Sequence, residues 1–147
     1  MAEELYKAVE IDGERYSIKK FTAIAGLQIA KMILSKLTPM LPYLDGSDEV
    51  PPEAMAEMMH NIGQMSDEDV ENLVKKCLKC CYKVMPAGLQ AVIDTTGHYG
   101  VEGVEYDLVL TCRLCIEAIK WGTSDFFGEK GSTLISEVVP ALSQPNP

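Results

Sequence analysis

The alternation of apolar and polar residues at the start of the chain predicts a β-hairpin over residues 5–21. Its two arms flank Asp12-Gly13, a dipeptide that tolerates the positive φ angles of a two-residue type I′ turn. The pairing imposed by this turn places five side chains on one face: Leu5, Val9, Ile11, Tyr16 and Ile18. A two-stranded ribbon is only marginally stable alone, so we expect this face to lie on helices or the ribbon to gain a strand. Its edge is therefore a candidate interface.

Apolar residues that recur every three or four positions predict helices at about residues 22–38, 52–62, 66–85 and 105–121. The stripe of the first helix consists of Ala23, Leu27, Ala30, Leu34, Leu37 and Leu41. This helix starts after Thr22, a residue type favoured at N-caps, and we expect it to end near Thr38 because a proline follows.

The third and fourth helices are predicted from longer apolar stripes. The third stripe runs from Val70 to Val84, includes Cys77 and Cys81, and stops before Pro86. The polar lane of the fourth helix is narrow and consists of Arg113, Glu117 and Lys120. We therefore expect the fourth helix to be the central and most buried one.

These elements predict a mainly α-helical chain with a small N-terminal β-hairpin, in the α+β class, with about four helices. A single domain is expected over residues 1–130, because 147 residues is close to the size of one compact domain. Glycines interrupt residues 88–104, whose type of element the pattern leaves open. The polar, proline-containing residues 131–147 are expected to form a flexible C-terminal tail.

Composition narrows the classes of partner. The chain has 13 Lys and Arg against 22 Asp and Glu, a net charge of −9, which argues against nucleic acid as a main partner. The most apolar stretch, residues 21–44, contains Lys31 and Lys36 and two prolines, so we interpret it as a core helix and not as a membrane span. The acidic start resembles no targeting segment, and we expect a cytoplasmic protein.

Nine acidic residues and no Lys or Arg occupy the acidic segment, residues 45–71. One interpretation is an ordinary solvated surface. The other is a docking surface, because methionines alternate with the acids. Thioether side chains beside carboxylates suit a groove for basic amphipathic helices. The candidate partner-binding residues here are Glu53, Met55, Glu57, Met58 and Met59.

The cysteines permit two interpretations. Cys77 and Cys80, with Cys112 and Cys115, have the paired spacing of a four-thiolate zinc site. However, 31 residues separate the two pairs, no Gly or Pro lies inside either pair, and both pairs are predicted to fall inside helices. We therefore expect thiols that pack in the core, with no metal and no cofactor, and keep the zinc site as the alternative.

No constellation of catalytic residues is evident. His60 and His98 are the only histidines, and neither accompanies a recognisable nucleophile or a second ligand at metal spacing. We expect a protein that is not an enzyme. Three of the ten aromatic residues cluster at the end of the fourth helix, either as a cap on the core or as an anchor for a partner. They are Trp121, Phe126 and Phe127.

Three features together resemble the small tail assembly chaperones of tailed bacteriophages and prophages. They are the hairpin ending Tyr16-Ser17-Ile18-Lys19-Lys20-Phe21 with its Leu-rich helix, the acidic middle, and the closing Trp121-x-x-x-x-Phe126-Phe127. The similarity spans roughly residues 5–128. It implies a non-enzymatic protein of the bacterial host cytoplasm that coats the tape-measure protein until tail-tube subunits polymerise around it.

The same resemblance implies the partners. These are the tape-measure protein and, as a second candidate, the tail-tube protein, with a homo-oligomer as a further possibility and no place in the mature virion. Many such genes also encode a frameshifted, C-terminally extended product. The competing function is a small zinc-binding or helix-binding adaptor of the bacterial cytoplasm, and a metal assay would separate its zinc form from the chaperone.

Overall fold

The N-terminal hairpin forms as the alternation predicts. The computed structural model describes residues 5–36 and 51–124, and its first strands are β1 (Tyr6–Ile11) and β2 (Glu14–Lys19). They pair antiparallel, with Val9 opposite Tyr16 and Lys7 opposite Ile18. Asp12 and Gly13 have φ angles of 52° and 80°, as a type I′ turn requires.

Two further strands extend the hairpin into a four-stranded antiparallel sheet, so the α+β class is confirmed, but the expectation of a mainly α-helical chain with a small hairpin was wrong. They are β3 (Cys81–Met85) and β4 (Gly88–Ala91), and the strand order is β1-β2-β3-β4. The predicted helix over residues 66–85 was therefore wrong beyond residue 78. Pairing of Ile18 with Cys81 supplies hydrogen-bond partners along the open side of β2, which a longer helix could not do.

The described residues contain four α-helices: α1 (Ala23–Lys36), α2 (Pro52–Ile62), α3 (Asp67–Leu78) and α4 (Leu108–Gly122). Side-chain oxygens cap three of them. Thr22 Oγ1 accepts from the Ala25 amide at 3.3 Å, and Ser66 and Asp107 cap α3 and α4 in the same way at 3.1 and 3.0 Å. No helix in these ranges is long and apolar enough to cross a membrane. Residues 37–50 and the predicted tail lie outside the described residues.

The predicted apolar stripe of α1 is confirmed at Ala30 and wrong at Leu27 and Leu34. Ile29, Ala30 and Ile33 are the buried residues, whereas Leu27 and Leu34 are 61% and 41% exposed. This helix has apolar residues on two of its sides, and periodicity alone does not say which side the rest of the protein covers. Ile29 and Ile33 pack in the hydrophobic core, whereas Ile24, which is also β-branched, is 75% exposed.

α4 occupies the centre of the fold, as its narrow polar lane predicts. It packs on α3 and on strands β1 and β2, and Leu114 and Ala118 are fully buried. Two details differ from the prediction. Leu108 and Val109 in the first turn are 73% and 65% exposed, and Lys120 is only 7% exposed although it was placed in the polar lane. The Lys120 ammonium lies 3.9 Å from a Glu117 oxygen, so the buried charge has a partner of opposite sign on the same helix.

Candidate functional site

An apolar groove lies between α2, α3 and α4. Its cavity has a volume of about 190 Å³. We call it the methionine groove. Its walls include Met55, Met58, Met59 and Ile62 from α2, Val70 and Val74 from α3, and Leu108, Cys112, Cys115 and Ile116 from α4. Among the described residues of this lining, only Thr111 has a hydroxyl group and none is charged, so the groove suits apolar ligands.

The three candidate methionines all line this groove but differ in burial. Met58 is buried in the hydrophobic core, Met55 is half-buried against that core, and Met59 is 51% exposed. Met58 therefore serves the fold as well as the groove wall. Met59 is the methionine that an incoming partner reaches most easily.

The two candidate glutamates lie elsewhere. Glu53 and Glu57 are exposed and do not line the groove. At 3.6 residues per turn they fall on the side of α2 opposite Met55 and Met59. Their adjacency in sequence does not place carboxylates against the groove wall, and any effect on a partner in the groove acts through the longer-range field.

Sequence reasoning did not identify the α4 wall of the groove. Leu108, Cys112, Cys115 and Ile119 recur at spacings of four, three and four, so they form a lane along one side of the helix. That lane was visible in the sequence. It was assigned to the core because an apolar lane that lines a groove and one that is fully buried have the same pattern.

The cysteines are free thiols, and Cys77 and Cys81 are buried. A hydrogen bond with Cys115, followed by burial, raises the pKa of Cys77 well above its usual value, and burial does the same for Cys81. Burial raises the pKa of Cys80 to about 11, although Lys19 opposes the shift. These thiols stay protonated at neutral pH, whereas zinc binds thiolates.

The structure does not arrange the cysteines as the zinc alternative requires. Cys80 and Cys81 were expected inside the third helix, but Cys80 follows the end of α3 and Cys81 begins β3. Within residues 5–36 and 51–124, no group of three or more His, Cys, Asp or Glu side chains could hold a metal ion. The set Cys77, Cys80, Cys112 and Cys115 therefore does not form a tetrahedral site.

Trp121 joins the end of α4 to the start of the sheet. Its indole Nε1 donates to the Leu5 carbonyl oxygen at 3.1 Å, and the ammonium of Lys20 lies 4.7 Å from the ring centroid. The next residue, Gly122, leaves room for the ring of Phe21, which a Cβ at this position would strike. Trp121 thus links the C-terminal end of α4 to the residue before β1. The other two aromatic candidates, Phe126 and Phe127, lie outside the described residues.

Comparison with known families identifies the class of protein. Residues 12–134 match the family model described as phage tail assembly chaperone protein, TAC. This match covers most of the chain, so the chain belongs to the phage tail assembly chaperone family, and the resemblance noted from the sequence is confirmed. No curated protein and no solved structure matched the chain.

Proposed function

We propose that the chain binds an apolar helical segment of the tape-measure protein in the methionine groove and keeps that protein soluble during tail assembly. The observation that carries this proposal is an open apolar groove at the centre of a member of the tail assembly chaperone family. A chaperone must cover apolar surface that its client would otherwise expose to aggregation.

The chemistry of the groove favours a helix as the ligand. Methionine side chains adapt to irregular partners, and helix-binding proteins use such surfaces to receive apolar side chains spaced by three and four residues. Met59 and Leu108 stand at the walls with more than half of their surface exposed. A docked helix would bury both, which gives a favourable apolar contribution to binding.

Charge supports the same partner in a different role. The acidic side chains of α2 lie outside the groove, and the whole chain carries a net charge of −9. A field of this sign attracts basic segments and raises the association rate, whereas contacts inside the groove set the dissociation rate. We therefore expect the bound segment to have basic residues flanking its apolar face.

A matched pair of variants tests the groove. We expect Met59→Glu to abolish the increase in soluble tape-measure protein that co-expression of the wild-type chain gives, because a carboxylate would be desolvated against the apolar helix. Ile24→Glu is the control, since Ile24 is 75% exposed on α1 and lies outside the groove. Thermal melts check that both variants fold.

The comparison of the two variants decides the proposal. Equal loss of soluble client in both would mean a general effect of added charge and would contradict the groove. Full activity of Met59→Glu together with Leu108→Glu would place the client elsewhere. Binding of unrelated apolar helices with equal strength would favour the helix-binding adaptor instead.

The remaining parts of the proposal concern setting and partners. We propose that the chain acts in the host cytoplasm without catalysis. It contacts the tail-tube protein when the tube polymerises, and it dissociates before the virion matures. The reason for this order is that tail-tube subunits polymerising around the tape-measure protein would compete with the groove for the same client. Mass spectrometry of purified virions checks it, and the chain at stoichiometric amounts in mature tails would contradict it.

A further inference from the structure

A second pocket lies where β2, the start of α1 and the end of α3 meet, and it is lined by basic residues, unlike the methionine groove. Its cavity has a volume of about 340 Å³, and the described residues that line it include no Asp or Glu. We call it the lysine pocket after the four lysines in its lining: Lys19, Lys20, Lys76 and Lys79. In a chain of net charge −9, this pocket brings lysine side chains together, among them Lys76 and Lys79.

The chain leaves part of this positive charge without a nearby carboxylate. Lys75 is paired with Glu71 at 2.7 Å, one helical turn away, but the residues one turn before Lys76 and Lys79 are Asn72 and Lys75. Among the described residues, no carboxylate oxygen lies within 4 Å of the Lys76 or Lys79 ammonium. Like charges held this close repel one another, and an anionic partner would relieve the repulsion.

Two further features make the pocket attractive to carboxylates. α1 begins at the pocket, with Thr22 and Ala25 in its lining, and its first turn contains no acidic residue. The positive end of the helix dipole therefore adds to the lysines. Lys19 and Lys76 are half-buried, and partial exclusion of water strengthens their interaction with a bound anion.

The complementary surface is at the other end of α3. That helix starts with Asp67, Glu68 and Asp69, all exposed. Its 12 residues span about 18 Å at 1.5 Å per residue. This is well beyond the Debye length at physiological salt, so the acidic start and the basic end of α3 do not neutralise each other within one chain.

We propose that the lysine pocket of one copy receives the acidic start of α3 from a second copy, in a head-to-tail contact. Such a contact uses two different surfaces, so it repeats and builds rings or rows of chains. None of its residues lines the methionine groove, and the contact stands or falls independently of tape-measure binding. If the groove acts as proposed, a row of chains would present successive grooves to one long client.

Charge reversal on each surface separately, and then together, tests the contact. The purified full chain is followed by sedimentation velocity as a function of protein concentration. We expect wild-type association to weaken about tenfold or more between about 0.01 M and about 1 M salt, because the Debye length falls from about 30 Å to about 3 Å. Lys76→Glu with Lys79→Glu, and Glu68→Lys with Asp69→Lys, should each weaken association by at least about tenfold at low salt.

Mixing the two reversed variants is the decisive step. Each keeps the surface that the other has lost, so the two variants should pair through one restored contact, and an equimolar mixture should sediment as a heterodimer where each variant alone is monomeric. Lys31→Glu with Lys36→Glu is the control, since it makes the same charge change on exposed lysines of α1 outside the pocket. It should associate as the wild type does.

Three results would overturn the proposal. They are a wild-type chain that is monomeric at low salt, a pocket variant that associates normally, and a mixture that stays monomeric. In the first case, binding of an acidic peptide of another protein, or of inorganic phosphate, would assign the lysine pocket to a different ligand. Lys76→Gln with Lys79→Gln keeps the test available if the reversed variant does not fold, and circular dichroism decides which variants are used.

Discussion

The two apolar sides of α4 pack in different ways. On the side facing the core, Leu114 and Ala118 are fully buried, and neither lines the methionine groove. On the other side, Leu108, Cys112 and Cys115 line a cavity of about 190 Å³. Leu114 and Ala118 thus close the core side, whereas Cys112 and Cys115 of α4 line the open side together with aliphatic residues of three helices and the methionines of α2. The comparison shows one helix that both completes the fold and supplies a binding wall.

The largest expected difference in stability between the two sides of α4 comes from replacing a leucine by alanine on each side. Leu114→Ala should lower the free energy of unfolding by about 3 to 5 kcal/mol, because it leaves a cavity in a closely packed core. Leu108→Ala on the same helix should lower it by less than about 0.5 kcal/mol, since Leu108 is already exposed. Denaturant unfolding measures both. Similar losses in the two variants would mean that the groove side is as tightly packed as the core side.

The same contrast explains which parts of the fold the sequence predicts. The hairpin follows from local signals, a two-residue Asp12-Gly13 turn and alternation on both sides of it. Strand β3 does not, because Cys81 and Val84 fit a helical stripe as well as a strand. What decides is a non-local event, the pairing of Cys81 with Ile18 more than 60 residues away.

The candidate site was predictable in chemistry and not in geometry. Methionines at helical spacing indicate an adaptable surface, and Met55, Met58 and Met59 do share one wall. The sequence does not reveal that α4 supplies the opposite wall, since that depends on how three helices pack. Glu57 was expected to lie beside those methionines in one docking surface. It does not, because residues two apart in sequence fall on different sides of a helix.

The dependence of stability on alkaline pH tests how well the core excludes water from the thiols packed near α4. The interaction with Cys115 of the groove wall, followed by burial, raises the pKa of Cys77 in the core, and burial raises that of Cys81. A raised folded-state pKa favours the protonated thiol, so its contribution is complete below the ordinary thiol pKa and is lost as pH rises above it. One pH unit above that value, the loss should be about 1.4 kcal/mol per thiol, or roughly 2 to 3 kcal/mol for both.

The measurement is the free energy of unfolding between about pH 7 and pH 10, under reducing conditions. Cys77→Ala removes one titrating thiol, so its profile should decline less steeply than that of the wild type, whatever its starting stability. A wild-type profile that stays flat to about pH 10 would mean that water reaches the thiols and that the core side of α4 is looser than its burial indicates.

The smallest effect on stability, and the most informative about binding, comes from two neighbouring methionines on the same wall. Met58→Ala should cost about 2 kcal/mol of unfolding free energy, because Met58 is buried in the core cluster and the adjoining groove lets the site partly collapse. Met59→Ala should cost less than about 0.5 kcal/mol, since half of that side chain is in solvent. Met59→Ala should nevertheless have a clear effect on binding.

We expect Met59→Ala to keep the fold and to speed dissociation of a tape-measure peptide several-fold. The association rate should not change, because the substitution removes contact area and no charge. Surface plasmon resonance on folded variants measures both rates. A change confined to the association rate would assign capture to the acidic surface, and identical kinetics in Met59→Ala and wild type would make the open side of α4 a packing gap instead of a binding wall.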